Sequence, residues 1–230
     1  MVRVKRISAP ATFPVPRKTG GRFAPTPSAG PHSKSECAPL LTVIRDALKL
    51  ASTAKEARAA IVLGKVTVNG AVRKDYRFPV GIFDVVGVAG EHYRALPTAS
   101  GLAFMKTPKK DAELKLYRVE NKTVVRGGRV QMNLSDGTNI LADAGAYATG
   151  DTLALKPDLK VAAHVKRAKG AVCVLIRGRN IGKLAVIESV NLVRGTGENT
   201  ANLRLGDSVI QVPVNTIFVV GDKEPIIKME

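Results

Sequence analysis

The amino-acid sequence predicts an α+β multidomain chain of four regions. Three observations predict it: helical hydrophobic periodicity is confined to one stretch after residue 40, short runs of alternating apolar residues dominate from about residue 114, and residues 1–35 mix prolines and cations with no acidic residue. The regions are a basic, proline-rich N-terminal arm (1–39), a two-helix plus hairpin unit (40–90), a central β-rich region (91–169) and a C-terminal small β-barrel (170–230).

In the arm, Arg3, Lys5, Arg6, Arg17, Lys18, Arg22 and Lys34 are interleaved with Pro10, Pro14, Pro16, Pro25, Pro27 and Pro31. So little apolar surface cannot fold alone. The arm is expected to be disordered in the free protein and to lie along phosphates when bound, proline lowering the entropy lost on docking. Phe13 and Phe23, set among the cations, would be its anchors. A solvated tail is the alternative.

Leu40, Leu41, Ile44, Ala47, Leu48 and Ala51 share one helical face, with Arg45, Asp46 and Lys49 on the other. Thr53 with Glu56 is a capping box opening a second helix through Leu63, which Gly64 ends. Val66 and Val68 then alternate with polar neighbours, and Asn69-Gly70 signals a type I′ turn into Val72. Arg45 with Lys49 and Lys55 with Arg58 are like-charge pairs at helical spacing, which destabilise a free helix by roughly 0.2–0.5 kcal/mol each. A bound polyanion would reverse that sign; ordinary solvated faces are the alternative. Arg73, Lys74 and Arg77 add to the same cluster.

The central region reads as strands at Leu114–Val119, Thr123–Val125, Val130–Leu134, Ile140–Ala142 and around Leu153 and Leu155, punctuated by Gly127-Gly128 and Asp136-Gly137. Arg126 and Arg129 flank the double glycine, where a backbone could approach a phosphate, although a plain glycine turn is the favoured reading. In the last region Val172, Val174 and Ile176 alternate, and a tight turn carrying Arg177, Gly178, Arg179, Asn180, Gly182 and Lys183 leads into Leu184–Ile187. Leu203, Leu205 and Val209–Val220 continue the β pattern.

The 230 residues carry 36 Lys and Arg against 19 Asp and Glu, a net charge of +17, and such an excess concentrates polyanions, nucleic acid above all. Aromatics are only 4% of the chain, which argues against a base-stacking platform and for recognition of phosphates and shape. Cys37 and Cys173 lack the paired spacing of a zinc site or disulfide framework. The longest uncharged run, Ser208 to Gly221, includes Gln211, Pro213 and Asn215 and cannot span a bilayer as a helix. The basic N-terminus has no apolar signal core, and its prolines forbid the amphipathic helix of a transit peptide.

A family resemblance rests on particular residues. They are the run Ala24-Pro25-Thr26-Pro27-Ser28-Ala29-Gly30-Pro31-His32; Pro39-Leu40-Leu41 with Arg45-Asp46; and Thr53 with Glu56-Ala57. Further along come Val68-Asn69-Gly70 with Val72-Arg73-Lys74-Asp75, and Phe78-Pro79-Val80-Gly81 with Asp84-Val85. In this order they closely resemble the S-four-e family, ribosomal small-subunit proteins of archaea and eukaryotes. The closing Ile217-Phe218-Val219-Val220-Gly221 is similar to that family's end, and the Arg177–Lys183 turn resembles the KOW motif of ribosomal proteins and transcription-elongation factors. Gly178-Arg179 stands where the family commonly has two glycines, and the added Arg suits a phosphate contact. The resemblance implies an S-four-type RNA-binding domain over residues 40–90, whose two-helix face grips folded ribosomal RNA, and a KOW (SH3-like) barrel over 170–230. It further implies a cytoplasmic, ribosome-bound protein whose partners are small-subunit ribosomal RNA and neighbouring ribosomal proteins, not a membrane.

No catalytic, metal or cofactor site is legible. Gly178 to Lys183 superficially suggests a phosphate loop but is too short between its glycines, and Leu184 replaces the required hydroxyl. His32, His92 and His164 are far apart with no second metal-type ligand beside them; His32, after Gly-Pro at the end of the arm, is the one expected at RNA. Two other readings stay open. One is an RNA-modifying enzyme, since S-four-type domains are also attached to pseudouridine synthases; the other is a transcription or translation factor using the KOW barrel.

Overall fold

A computed structural model describes residues 3–18, 21–142, 145–206 and 208–229. It divides into two compact units, Met1–Lys115 and Leu116–Glu230.

The first unit begins with β1 (Arg3–Lys5) antiparallel to β2 (Phe23–Pro25). Between them lies a 3₁₀ turn, Arg6–Ser8, and a stretch of chain whose Ala9, Phe13 and Val15 are buried together, with Val4 against them. The expected coreless arm is therefore corrected. Phe13, expected as an exposed anchor, is 2% exposed, whereas Phe23 stays in solvent. The physical reason is cover from later chain: Leu102 N–H donates to the Thr12 carbonyl, and the Thr12 hydroxyl donates to the Cys37 carbonyl. Gly101, at φ +124°, makes the approach feasible, because a Cβ there would lie 2.8 Å from the Ala11 carbonyl oxygen.

β3 (Ala38–Pro39) pairs with β6 (Pro79–Val80) and leads into the short α1 (Leu40–Thr42). The continuous α-helix expected from Leu40 to Ala51 does not form: Val43–Ala47 is a π turn, in which Leu48 N–H reaches back to the Val43 carbonyl. The wide turn shifts the phase of the apolar face, so that Leu40, Leu41, Val43 and Ile44 are buried while Leu48 and Ala51 only flank the core. Lys49, at φ +54°, then leaves the helical path. α2 (Ala54–Val62) opens on the capping box: Thr53 Oγ1 accepts from Glu56 N–H, and the Glu56 carboxylate accepts from Thr53 N–H.

The helices cover a five-stranded antiparallel sheet in the order β5–β4–β7–β8–β9, formed by β4 (Val66–Val68), β5 (Ala71–Val72), β7 (Val85–Val88), β8 (Glu91–Thr98) and β9 (Gly101–Thr107). Asn69 and Gly70 both have positive φ, as a type I′ turn requires. The division expected at residue 90 falls in the Ala89-Gly90 turn of a paired hairpin, with Val85 opposite Arg94, so residues 91–107 continue this sheet. The period-2 signal fails there because Arg94, Ala95, Leu96 and Pro97 are all buried. A short α3 (Lys109–Ala112) follows.

In the second unit one sheet has the order β12–β11–β10–β13–β14, from β10 (Lys115–Val124), β11 (Val130–Leu134), β12 (Asn139–Ala142), β13 (Thr152–Leu155) and β14 (Val161–Val165). Its core holds Tyr117, Val119, Met132, Leu134, Leu153 and Leu155. The second sheet has the order β18–β17–β16–β15–β19, from β15 (Val172–Leu175), β16 (Leu184–Asn191), β17 (Thr200–Leu205), β18 (Ser208–Pro213) and β19 (Ile217–Gly221), with a 3₁₀ turn, Val214–Thr216, before the last strand. Inward alternation of Cys173 and Leu175, Ala185 and Ile187, and Ala201 and Leu203 builds its core. The β runs expected from sequence in 114–220 overlap strands, except that Leu114, Val125 and Ile176 lie just outside them and the run Val209–Val220 is split by the 3₁₀ turn.

Candidate nucleic-acid interface

Four arginines distant in sequence line one cleft of about 160 Å³ in the first unit. The β1–β2 ribbon supplies Arg3 and Phe23, the π turn Arg45, α2 Arg58, and the segment before β6 Tyr76 and Arg77. The neighbours of these guanidinium groups differ. Arg45 is held by Asp46 through two parallel contacts, Nε to Oδ1 at 2.9 Å and Nη2 to Oδ2 at 2.7 Å. Arg58 stacks 4.2 Å above the Tyr76 ring, and Arg77 Nε donates to the Thr26 carbonyl at 2.9 Å. These contacts fix where the cations sit and neutralise only part of their charge, leaving a cleft suited to an anion with planar faces.

Several residues expected at RNA are engaged within the chain itself. Arg6 is 4% exposed, and its guanidinium donates to the Phe23 and Pro16 carbonyls. Arg17 donates to the carbonyls of Ile7, Ala9 and Pro10, so it staples the arm to itself. In both cases compact arm backbone offers carbonyls that a solvated tail would not. The π turn over Val43–Ala47 and the positive φ of Lys49 depart from the regular α-helix on which the expected i,i+4 pairing with Arg45 rests. Lys5, Lys18, Arg22 and Lys34 are exposed, as are Lys49, Lys55, Arg58, Arg73 and Lys74. Arg22 lies 5.5 Å over the Phe23 ring, and Arg73 4.6 Å over the Phe78 ring. Lys5, Arg6, Arg17, Lys18 and Arg22 border a second basic depression. In the second unit Arg177, Arg179 and Lys183 are exposed on the β15–β16 turn; Asn180 is half-buried, its carbonyl accepting from Lys183 N–H.

His32, the histidine expected at RNA, is instead locked inside. Its Nε2 lies 2.9 Å from Oδ2 of Asp84, and its ring packs so closely on Gly81 that a Cβ there would sit 2.3 Å from it. Asp84 is fully buried and also accepts from Gly81 N–H, Asn69 Nδ2 and Lys115 Nζ, at 2.8, 2.8 and 2.7 Å. Burial alone would push its pKa up. The Lys115 ammonium, and then the His32 contact, more than reverse this and hold the carboxyl well below the usual carboxylate range. Sequence reasoning missed this centre, because nothing in the spacing of residues 32, 69, 84 and 115 announces it. The place of Tyr76 in the cleft was likewise missed, the low aromatic content having argued against stacking.

Among the described residues no group of three His, Cys, Asp or Glu could hold a metal, and no helix is long and apolar enough to cross a membrane. Cys37 and Cys173 are free and buried, and burial pushes both thiols up to about 12, so neither is a ready nucleophile.

A proline-rich basic segment against a helix–hairpin unit with an arginine cleft, followed by β domains, defines a multidomain protein of the S4-domain class. The RS4NT domain model matches residues 3–35, the S4 domain model 39–86 and the model described as Ribosomal family S4e 89–158. Small ribosomal subunit protein eS4 of Archaeoglobus fulgidus is 43% identical over 96% of this chain and 93% of its own length. The protein of the same name from Aeropyrum pernix is 38% identical over 99% of this chain and 94% of its own. The crystal structure of 30S ribosomal protein S4e from Thermoplasma acidophilum superposes with a TM-score of 0.72 at 28% identity, covering 81% of this chain and 96% of that one. The chain belongs to the ribosomal protein S4e family, which is not a family of enzymes.

Proposed function

We propose that the protein is a structural constituent of the small ribosomal subunit, cytoplasmic and ribosome-bound, that binds small-subunit ribosomal RNA through phosphate contacts and RNA shape. The observation that carries this reading is the convergence of Arg3, Arg45, Arg58 and Arg77 from four separate segments on one cleft of an S4 domain. Lys5, Lys18, Arg22, Lys34, Lys49, Lys55, Arg73 and Lys74 extend positive charge along the same unit. The naming of the relatives as small-subunit proteins supplies the assembly. The five-stranded order β18–β17–β16–β15–β19, with a 3₁₀ turn before the last strand, supports reading residues 170–230 as a KOW-type, SH3-like barrel that offers Arg177, Arg179 and Lys183 to RNA. Neighbouring ribosomal proteins complete its surroundings.

The test replaces Arg45, Lys49, Lys55 and Arg58 together with Gln and measures thermal stability and affinity for small-subunit rRNA fragments across a salt series. The fold should be retained with some loss of stability, since the Arg45–Asp46 pair and the Arg58–Tyr76 stacking are removed. Affinity should fall, and the log–log salt slope should flatten by about 0.7–0.9 per lost phosphate contact. Unchanged affinity in a folded variant removes this face from the RNA interface.

A further inference from the structure

We propose that the tip of the β10–β11 hairpin is a second RNA contact, in which Arg126 and Arg129 seat on phosphates of an A-form helix; the inference rests on the ribosomal-RNA reading above. From Asn121 to Asn133 the hairpin carries Lys122, Arg126 and Arg129 and no acidic residue. Val125 N–H donates to the Arg129 carbonyl at 2.9 Å, closing a loop of Arg126, Gly127 and Gly128, so the two arginines leave from the two ends of one tight turn. Both side chains are exposed, and among the described residues no carboxylate pairs with either guanidinium. Arg118, on the same strand β10, shows the contrast: it is bound to Glu120 and to the carbonyls of Asn215 and Ile217.

The ribbon also outruns its own core. The register places Lys122 opposite Met132 and Val124 opposite Val130, all four on one face of the pair. At the root of that face Met132 is 1% exposed, and at its end Val124 is 79% exposed. Val124, exposed beside Arg126, suits the ribose edge of the wide, shallow minor groove, where A-form RNA is read by shape, 2′-hydroxyls and phosphates. Gly127 and Gly128 have φ of +86° and +74°, and a Cβ on either would meet nothing within 4 Å, so the tip presents bare backbone to open space. Glycine serves the turn's dihedrals and lets main-chain N–H groups approach a phosphate oxygen closely.

The test uses the full chain with small-subunit rRNA and compares wild type, R126Q/R129Q and R126K/R129K by affinity across a salt series, with thermal unfolding as the control for fold. R126Q/R129Q is expected to keep the wild-type unfolding midpoint and to lose about 0.7–0.9 of log–log slope per contact, which at 0.1 M salt is about fivefold to eightfold in affinity for each. R126K/R129K keeps the charges and should keep the slope. A wild-type chain that binds rRNA while R126Q/R129Q binds with unchanged slope and affinity overturns this inference alone. A wild-type chain that does not bind rRNA overturns the functional reading beneath it.

Discussion

Replacing Asp84 with Asn should strongly destabilise the first unit. The change keeps the shape of the side chain and removes its charge from a site with no solvent access. Lys115, whose side chain is 8% exposed, loses the carboxylate charge 2.7 Å away, and the new amide must set its NH2 against the donors at one of the two former oxygens: Asn69 Nδ2 and Lys115 Nζ at Oδ1, or Gly81 N–H with the His32 ring at Oδ2. Breaking a buried ion pair from one side costs about 3–5 kcal/mol, because the partner is left buried and uncompensated. With a urea m-value of about 2 kcal/mol/M, that loss moves the unfolding midpoint down by about 1.5–2.5 M. The assay is urea unfolding of the intact chain at pH 7, with K115M alone and D84N/K115M completing the cycle. The double variant should be more stable than the sum of the two single losses implies. A D84N loss below about 1 kcal/mol would refute the reasoning that Asp84 holds this unit together as a charged group.

Further perturbations have separate readouts. Asp84 is depressed in the folded state relative to an unfolded value of about 3.9, so its contribution is complete above about pH 4 and disappears as pH falls toward the folded value; acid titration of stability should show this loss in wild type and not in D84N. Asp151, 4% exposed, shows the same sign. Burial pushes its pKa up, but the N–H groups of Arg167 and Ala148 and the His164 contact lower it overall, so D151N should flatten acid destabilisation of the second unit. Gly81→Ala forces a methyl onto the His32 ring and should cost about 1–3 kcal/mol in denaturant unfolding, although the substitution raises hydrophobicity. Thr53→Ala removes the cap of α2 and should cost about 0.5–2 kcal/mol while leaving rRNA affinity at wild-type level.

Local chemistry was legible in the sequence, and long-range convergence was not. The Thr53–Glu56 box, the Asn69-Gly70 turn and the alternating strands after residue 114 each depend on neighbours a few positions apart, and all three appear in the structure. The π turn at Val43–Ala47 was hidden because its apolar residues also satisfy an α-helical period until one extra residue enters the ladder. β8 was hidden because both of its faces are covered, which erases alternation. The arm was misread because Ala9, Phe13 and Val15 bury one another with Val4 against them, and Leu102 N–H, from a distant strand, fixes the Thr12 carbonyl beside them; composition of the arm alone registers neither. For the same reason charge counting placed His32, Arg6 and Arg17 at RNA: it registers cations and cannot register the carboxylate or carbonyls that occupy them.

The proposal that this chain is a stoichiometric part of the small ribosomal subunit is tested most directly by sedimenting cell lysate through a sucrose gradient at moderate salt and quantifying the chain against small-subunit rRNA. One copy per small subunit, with no substantial pool at the top of the gradient, is the expected result; a substoichiometric or largely free chain would contradict the structural role and point to a factor that visits the ribosome.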